Sequence, residues 1–322
     1  MNYKSYKDLS DDIRNNLSKI HACNVDLVVG LPRSGLTPAN MIALYLNVAC
    51  TDFDSFINDR KLKKGKTRKS KTNIEYPHDA KNILLVDDSI RSGSSLHSDL
   101  LLIPENLRSK VTTCAIYSSL SKRDDVDMFL EVVPIPRVFE WNLFHHSITS
   151  KACFDIDGVL CVDPTKEQND DGEKYIDFIL NAEPLFIPTN KVHALVTSRL
   201  EKYRKETEIW LNKHNIEYEH LIMLDLPNKE ERQKLGVHGF HKAKYYKSTN
   251  TSLFVESEYN QSVEILNITN KPVFCVDENI MLRPGQSYFI KKKVKDTFFK
   301  SIINLIPLSI KRKIKNFKSR VK

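Results

Sequence analysis

The stretch ILLVDDSIRSGSSL (83–96) decides the reading of the first half of the chain. The apolar run 83–87 reads as a buried strand ending in two adjacent carboxylates, and the Ser/Gly turn behind it opens a helix over about 94–103. Backbone N–H groups at a helix start, joined by the Ser92, Ser94 and Ser95 hydroxyls, surround an anion, and Gly93 lets the backbone approach it closely. Asp87 and Asp88 are placed to accept hydrogen bonds from the vicinal hydroxyls of a sugar. Upstream, VVGLPRSGLTPA (28–39) repeats the logic of strand, Gly/Arg turn and helix, and Arg33 suits a second phosphate. Either turn alone is an ordinary loop; the pair argues for one ligand with two anionic ends.

Strand-like runs at 25–30, 83–87 and 111–117 alternate with helical patterns, which implies a parallel sheet with crossover helices. A second series follows at 151–157, 192–197, 220–224, 251–256 and 271–276, with a helix over about 201–214. The expected fold is therefore α/β, with two tandem Rossmann-like domains over residues 1–148 and 149–290. Between the first two motifs, DRKLKKGKTRKSK (59–71) is too cationic for a core and reads as a solvated loop; a resemblance to the type I phosphoribosyltransferases, carried by the two flanking turns, implies instead a flap that brings some of Arg60, Lys61, Lys63, Lys64 and Arg68 to the leaving pyrophosphate.

In KACFDIDGVLCVDPT (151–165), Asp155 and Asp157 stand two residues apart at the end of an apolar strand, directly before Gly158. That spacing puts both side chains on one face of an extended chain, one to attack phosphorus and the other to move protons.

The first pair of motifs resembles the type I phosphoribosyltransferases over residues 20–120. The resemblance implies a phosphoribosyl pyrophosphate (PRPP) donor. Asp87 and Asp88 would hold its ribose hydroxyls, and Arg91, Ser92, Gly93, Ser94 and Ser95 its 5-phosphate. Leu31, Pro32, Arg33, Ser34 and Gly35 would take its pyrophosphate with Mg²⁺. Arg91 and Ser94 depart from the commonest family residues, which leaves the acceptor class open. The Asp155/Asp157 segment resembles the first motif of the haloacid dehalogenase superfamily, and the companions that resemblance implies follow in order. Thr197 would bond phosphoryl oxygens, Lys242 would neutralise phosphate and nucleophile, and Glu256 or Glu258 would join Asp155 and Asp157 around Mg²⁺. Lys244 is a rival for Lys242, and Arg199 is either a phosphate contact or a surface residue at a helix start. Only about 40 residues separate Asp155 from Thr197, so any cap is small.

The pairing resembles PRPP-dependent ribofuranose-adding systems of bacterial surface-glycan assembly. It implies transfer of 5-phosphoribose to a lipid-linked glycan, then removal of the phosphate. A nucleobase transferase joined to a nucleotidase, and a PRPP-sensing regulator without catalysis, are the competing readings. PRVFEWNLFHH (136–146) offers Phe139, Trp141 and Phe144 as a hood over the acceptor or as packing between domains, and the adjacent His145 and His146 diverge too far to chelate a metal.

The 322 residues, 41% hydrophobic and 28% charged, fit two globular domains. The opening MNYKSYKDLSDD is too polar for a secretory signal, the scattered cysteines form no CxxC pair, and a cytoplasmic protein is expected. Residues 291–322 hold twelve Lys and Arg against the single acid Asp296, a surplus of +11 in a net charge of +8, which leaves −3 for the rest. Charge confined to a tail argues against nucleic acid as a partner. In that tail Ile310, Ile314, Phe317 and Val321 recur at helical spacing between basic residues, so it reads as an amphipathic helix lying on an anionic membrane surface or packing on its own domain.

Overall fold

The computed structural model describes residues 1–289 other than 64, 66, 68 and 237, without the side chains at 232, 233 and 235. Lys64, Arg68 and the whole of the basic tail thus lie outside the described residues. Met1–Gln286 form one compact unit, and a second begins at Ser287.

The first half runs β1 (Asn2–Lys4), α1 (Tyr6–Asn15), α2 (Leu17–His21), β2 (Leu27–Gly30), α3 (Leu36–Leu46), β3 (Ala49–Asp52), α4 (Phe53–Ile57), β4 (Ile83–Ile90), α5 (Ser94–Leu102), α6 (Glu105–Arg108), β5 (Val111–Ser118), β6 (Met128–Val132) and β7 (Arg137–Phe139). The second runs β8 (Ala152–Phe154), α7 (Glu173–Asn181), β9 (Val192–Leu200), α8 (Arg204–Lys213), β10 (Tyr218–Leu224), α9 (Lys229–Leu235), α10 (His238–Ser248), β11 (Leu253–Glu256), α11 (Tyr259–Thr269), β12 (Val273–Cys275) and β13 (Ile280–Leu282). Among the described residues no helix is long and apolar enough to cross a membrane.

The first half builds a five-stranded parallel sheet in the order β3-β2-β4-β5-β6. LVVG of β2 is buried along its whole length, as a central strand covered on both faces must be. The strand order reverses between β2 and β4, so their C-terminal ends open a crevice where ligands of such sheets bind. The second half builds a six-stranded sheet, β10-β9-β8-β11-β12-β13, parallel except for the β12–β13 pair. Its order reverses between β8 and β11, which opens a second crevice behind Phe154 and Glu256.

A two-stranded parallel ribbon of β1 and β7 joins the halves. Tyr3 of β1 packs with Val138, Leu143 and Phe144 into the same hydrophobic cluster as Phe154 and Phe274 of the second sheet. Its ring stands 5.1 Å from that of Phe274, and its hydroxyl bonds Asn279. Phe144 is part of this core, stacked on Phe186 at 4.4 Å, and so is packing rather than hood.

Tyr3→Ala should therefore cost about 3 kcal/mol of stability, the usual range for removing a buried aromatic ring. Urea unfolding of the full chain measures it. A loss below about 1 kcal/mol would mean that the ribbon does not tie the sheets together.

Candidate functional sites

At the first crevice, the β2–β4 ladder runs one residue beyond the strand, with Leu31 N–H donating to Val86 O at 2.9 Å. The chain then turns through Pro32, Arg33 and Ser34 with a cis Pro32–Arg33 peptide. Gly35 closes the turn against β4. A Cβ there would lie 2.7 Å from both Leu31 O and Val86 O, so only glycine permits the approach. Ser34 Oγ donates to Asp88 Oδ1 at 2.8 Å, which joins the two predicted loops at one place. Pro32 and Arg33 are exposed, as are Arg91, Ser92, Ser94 and Ser95 of the second turn.

β4 extends past the acid pair to Ile90, three residues further than the apolar run indicates. Asp87 and Asp88 therefore sit on a strand and alternate in direction. Asp88 is 5% exposed, and its second oxygen accepts the Trp141 indole N–H at 2.7 Å. Asp87 Oδ1 accepts Asp88 N–H at 2.8 Å, and burial, with the neighbouring Asp88 charge, pushes its carboxyl up to about 7. Behind the pair, Gly93 takes a left-handed conformation that starts α5, and the Ser92 and Ser94 hydroxyls lie 2.9 Å apart.

Arg123 and Arg137 escaped the sequence reading, and Trp141 was expected there only as a hood or packing residue. Arg123, with its side chain nearly buried, forks Asp125 at 2.7 and 2.5 Å and donates to Arg91 O at 2.9 Å, bracing the phosphate-type turn. Arg137 donates to Ile90 O at 3.0 Å from the other side. Trp141 is placed by its bond to Asp88, while Phe139 is core and stacks on it at 4.9 Å. None of these belongs to a local motif; long-range pairing brings them in. Of the loop cations, Arg60 pairs with Asp54 at 2.8 Å, Lys61 pairs with Glu75, and Lys63 is exposed.

At the second crevice, Asp155 N–H donates to Val255 O at 2.9 Å, continuing the sheet one residue past β8. Lys242, on α10 and 1% exposed, donates to Asp155 Oδ2 at 2.6 Å, Glu256 Oε2 at 2.7 Å and Gln261 Oε1 at 3.0 Å. An ammonium between two buried carboxylates is the arrangement that makes such burial tolerable. Burial raises the Asp155 carboxyl above its ordinary range, with Lys242 pulling the other way, and burial likewise pushes Glu256 up to about 7. Lys244 is exposed, which leaves Lys242 alone at this position. Gly158 adopts φ 73° in the turn that follows, where a Cβ would lie 2.5 Å from Ser257.

Arg199 is not a surface residue. It lies on β9, fully buried, and its Nη2 and Nε reach Asp157 Oδ1 and Oδ2 at 2.7 and 3.2 Å. A cavity of about 230 Å³ is lined by Asp155, Asp157, Thr197, Lys242 and Glu258 together with Asp163 and Asp277. Glu258 also caps α11, accepting from Gln261 N–H at 2.8 Å, whereas Glu256 is the acid that meets Asp155 across Lys242. Among the described residues only His193, Glu219 and His220 bring three ligand atoms within 4.8 Å, so Asp155, Asp157, Glu256 and Glu258 do not converge as a ready-made cluster. The cavity nevertheless carries more carboxylates than cations. Burial and the charges of Asp157, Asp155 and Asp277 push Asp163 up to about 6. Hard oxygens with unbalanced negative charge fit Mg²⁺. One helix, α7, stands between Asp155 and Thr197 in the chain. His145 and His146 turn to Thr189 and to Ile148 N–H respectively.

Asp87 supplies a pH test. Its folded-state value near 7 exceeds the ordinary 3.8, so its contribution to stability is complete below about pH 4 and is lost as pH rises through 7. Asp87→Asn should flatten that fall and unfold at higher urea than the wild type at pH 8. Equal midpoints at pH 5 and pH 8 for both proteins would refute the assignment.

Residues 2–152 match the family of phosphoribosyl transferase domains. Among solved structures the chain is similar to the Helicobacter pylori xanthine-guanine-hypoxanthine phosphoribosyltransferase, at 19% identity over 44% of this chain and 92% of that one, with a TM-score of 0.32. It is similar to a purine phosphoribosyltransferase from Pyrococcus horikoshii at 15% identity over 44% and 92%, TM-score 0.32. It is also similar to the adenine phosphoribosyltransferase from Rhodothermus marinus at 18% identity over 40% and 81%, TM-score 0.27. No curated protein matches the chain in sequence.

Proposed function

We propose that the phosphoribosyltransferase domain carried by residues 2–152 moves 5-phosphoribose from PRPP to a glycan acceptor, and that the second half then hydrolyses the 5-phosphate. The reading treats residues 1–148 as the transferase and 149–290 as a phosphatase of haloacid dehalogenase type with a small cap. The observation that carries the phosphatase reading is Lys242 bridging Asp155 and Glu256 at the switch point of the second sheet.

In the first step Asp87 and Asp88 grip the ribose hydroxyls while the Arg91–Ser95 and Leu31–Gly35 turns hold the two phosphate ends. The bond from C1 to pyrophosphate breaks, and the acceptor hydroxyl attacks the opposite face of the oxocarbenium-like carbon, giving a β-linkage. With its carboxyl near neutrality, Asp87 suits the removal of the acceptor proton. Arg33 is placed to meet the departing charge.

In the second step Asp155 attacks the 5-phosphate, and the P–O bond to the ribose breaks with a proton passing from Asp157 to the leaving oxygen. Water, giving its proton back to Asp157, then cleaves the aspartyl-phosphate to inorganic phosphate. Arg199 holds Asp157 in place and Thr197 faces the phosphoryl oxygens. Asp155 and Asp157, with Glu256 or Glu258, would hold Mg²⁺, which would supply neutralisation of the phosphate charge. Residues 291–322 enter through sequence alone, as an anchor that keeps the enzyme on an anionic membrane where a lipid-linked acceptor resides.

Asp155→Asn should accumulate a phosphoribosylated acceptor, and Asp88→Asn should lower pyrophosphate release on the order of 10²-fold or more. Mass spectrometry of the products and a pyrophosphate assay read both. Identical products from wild type and Asp155→Asn would refute the two-step reaction, and transfer to purine or pyrimidine bases alone would favour nucleobase salvage.

A further inference from the structure

A cavity of about 240 Å³ opens beside the acid pair, with Ser89 and Arg91 of the first crevice on one wall and Arg137, Phe139, Asn142 and His146 on the other. None of its lining residues belongs to the Leu31–Gly35 turn, and none is an acid. It is built from the end of β4 and the segment 135–148, so it lies away from the predicted pyrophosphate position. Phe139 connects it to the diol site by stacking on Trp141, which holds Asp88.

The charge of this cavity is not balanced within the fold. Arg137 spends two N–H groups on Val133 O and Ile90 O, at 3.1 and 3.0 Å, and lies 5.3 Å from the Phe139 ring centre. Among the described residues neither Arg137 nor Arg91 forms a salt bridge, in contrast to Arg123 with Asp125. Burial holds Arg137 below the ordinary guanidinium range, with Arg123 and Arg91 adding to the effect and Asp88 opposing it. His146 adds a neutral donor. Its Nδ1 accepts Ile148 N–H at 3.0 Å, so the neutral ring carries its proton on Nε2, and burial and Arg91 keep it neutral. The cavity's one phenyl ring, Phe139, is 3% exposed and already stacked, so it offers no open face to a planar base.

We propose that this cavity is the acceptor pocket and that it selects an acceptor carrying an anionic group, carboxylate or phosphoryl, next to the hydroxyl that attacks. The proposal rests on the transferase reading above and narrows its substrate class. Guanidinium groups bind both anions through paired N–H donors, and a fold that already holds them partly buried loses little on binding. With Arg91 engaged by the donor's 5-phosphate, a neutral sugar or a nucleobase would leave Arg137 uncompensated.

The test uses the full chain with Mg²⁺ and PRPP and reads pyrophosphate release with four acceptors: methyl β-glucuronide, glucose 1-phosphate, methyl β-glucoside and adenine. The expected result is use of the glucuronide, the 1-phosphate or both ahead of the neutral pair, and the difference between those two says which anion is read. Asn142→Asp keeps the side-chain oxygen that accepts Phe139 N–H at 3.3 Å and places a negative charge in the cavity. It should raise KM for the anionic acceptor about tenfold while calorimetry shows Mg-PRPP affinity unchanged within about twofold. Equal use of neutral and anionic acceptors, an unmoved KM in Asn142→Asp, or donor binding without use of either anionic probe overturns the proposal and leaves donor recognition standing. Failure of the wild type to bind Mg-PRPP overturns the transferase reading itself.

Discussion

A parallel sheet whose crossovers change direction must leave one pair of strand ends uncovered, and both sheets of this chain are organised around that constraint. In the first, β2 and β4 diverge to opposite sides; in the second, β8 and β11 do. Helices cover the faces everywhere else, so these gaps are where backbone N–H groups and strand-end side chains reach a ligand without opening the core. The buried acids Asp155 and Glu256 stand at or just beyond those ends, and Asp87 and Asp88 lie in the last half of β4.

Holding acids there has an electrostatic cost, and the two crevices meet it differently. The second places an ammonium between its carboxylates, so Asp155 and Glu256 are buried as an ion-paired set with Lys242. Among the described residues the first has no cation at bonding distance from its pair. Asp88 relies on the neutral donors Ser34 and Trp141, and Asp87 rises toward neutrality. In the second the carboxyls are raised by burial as well, and Lys242 opposes that rise.

The parts legible in the sequence were those whose chemistry is local. A strand followed by acids and a Gly turn is written in consecutive residues, so the turns after β2 and β8 follow strands where they were expected, whereas Asp87 and Asp88 lie inside β4 rather than at its end. Lys242 and Glu256 were reachable through the family resemblance and through their place after a strand or on a helix. The rest depends on pairing between distant segments. Nothing near Arg199 announces that β9 will deliver it beneath Asp157, and nothing near Trp141 announces Asp88. The acid-bearing end of β4 was cut short because Asp and Ser depress strand propensity, whereas pairing with β5 extends the strand to Ile90. Aromatic character left Phe144 open between a hood and interdomain packing, because it cannot separate a binding surface from a core, and the structure puts it in the core.

The β1–β7 ribbon makes each half shelter part of the other. Tyr3, Val138, Leu143 and Phe144 arise from the first half yet are sheltered by residues of the second. A gene break between residues 148 and 149 would strand those side chains in water on one fragment and uncover Phe154 and Phe274 on the other. Each fragment would carry apolar surface that the other now covers, which ties the stability of one crevice to the presence of the other.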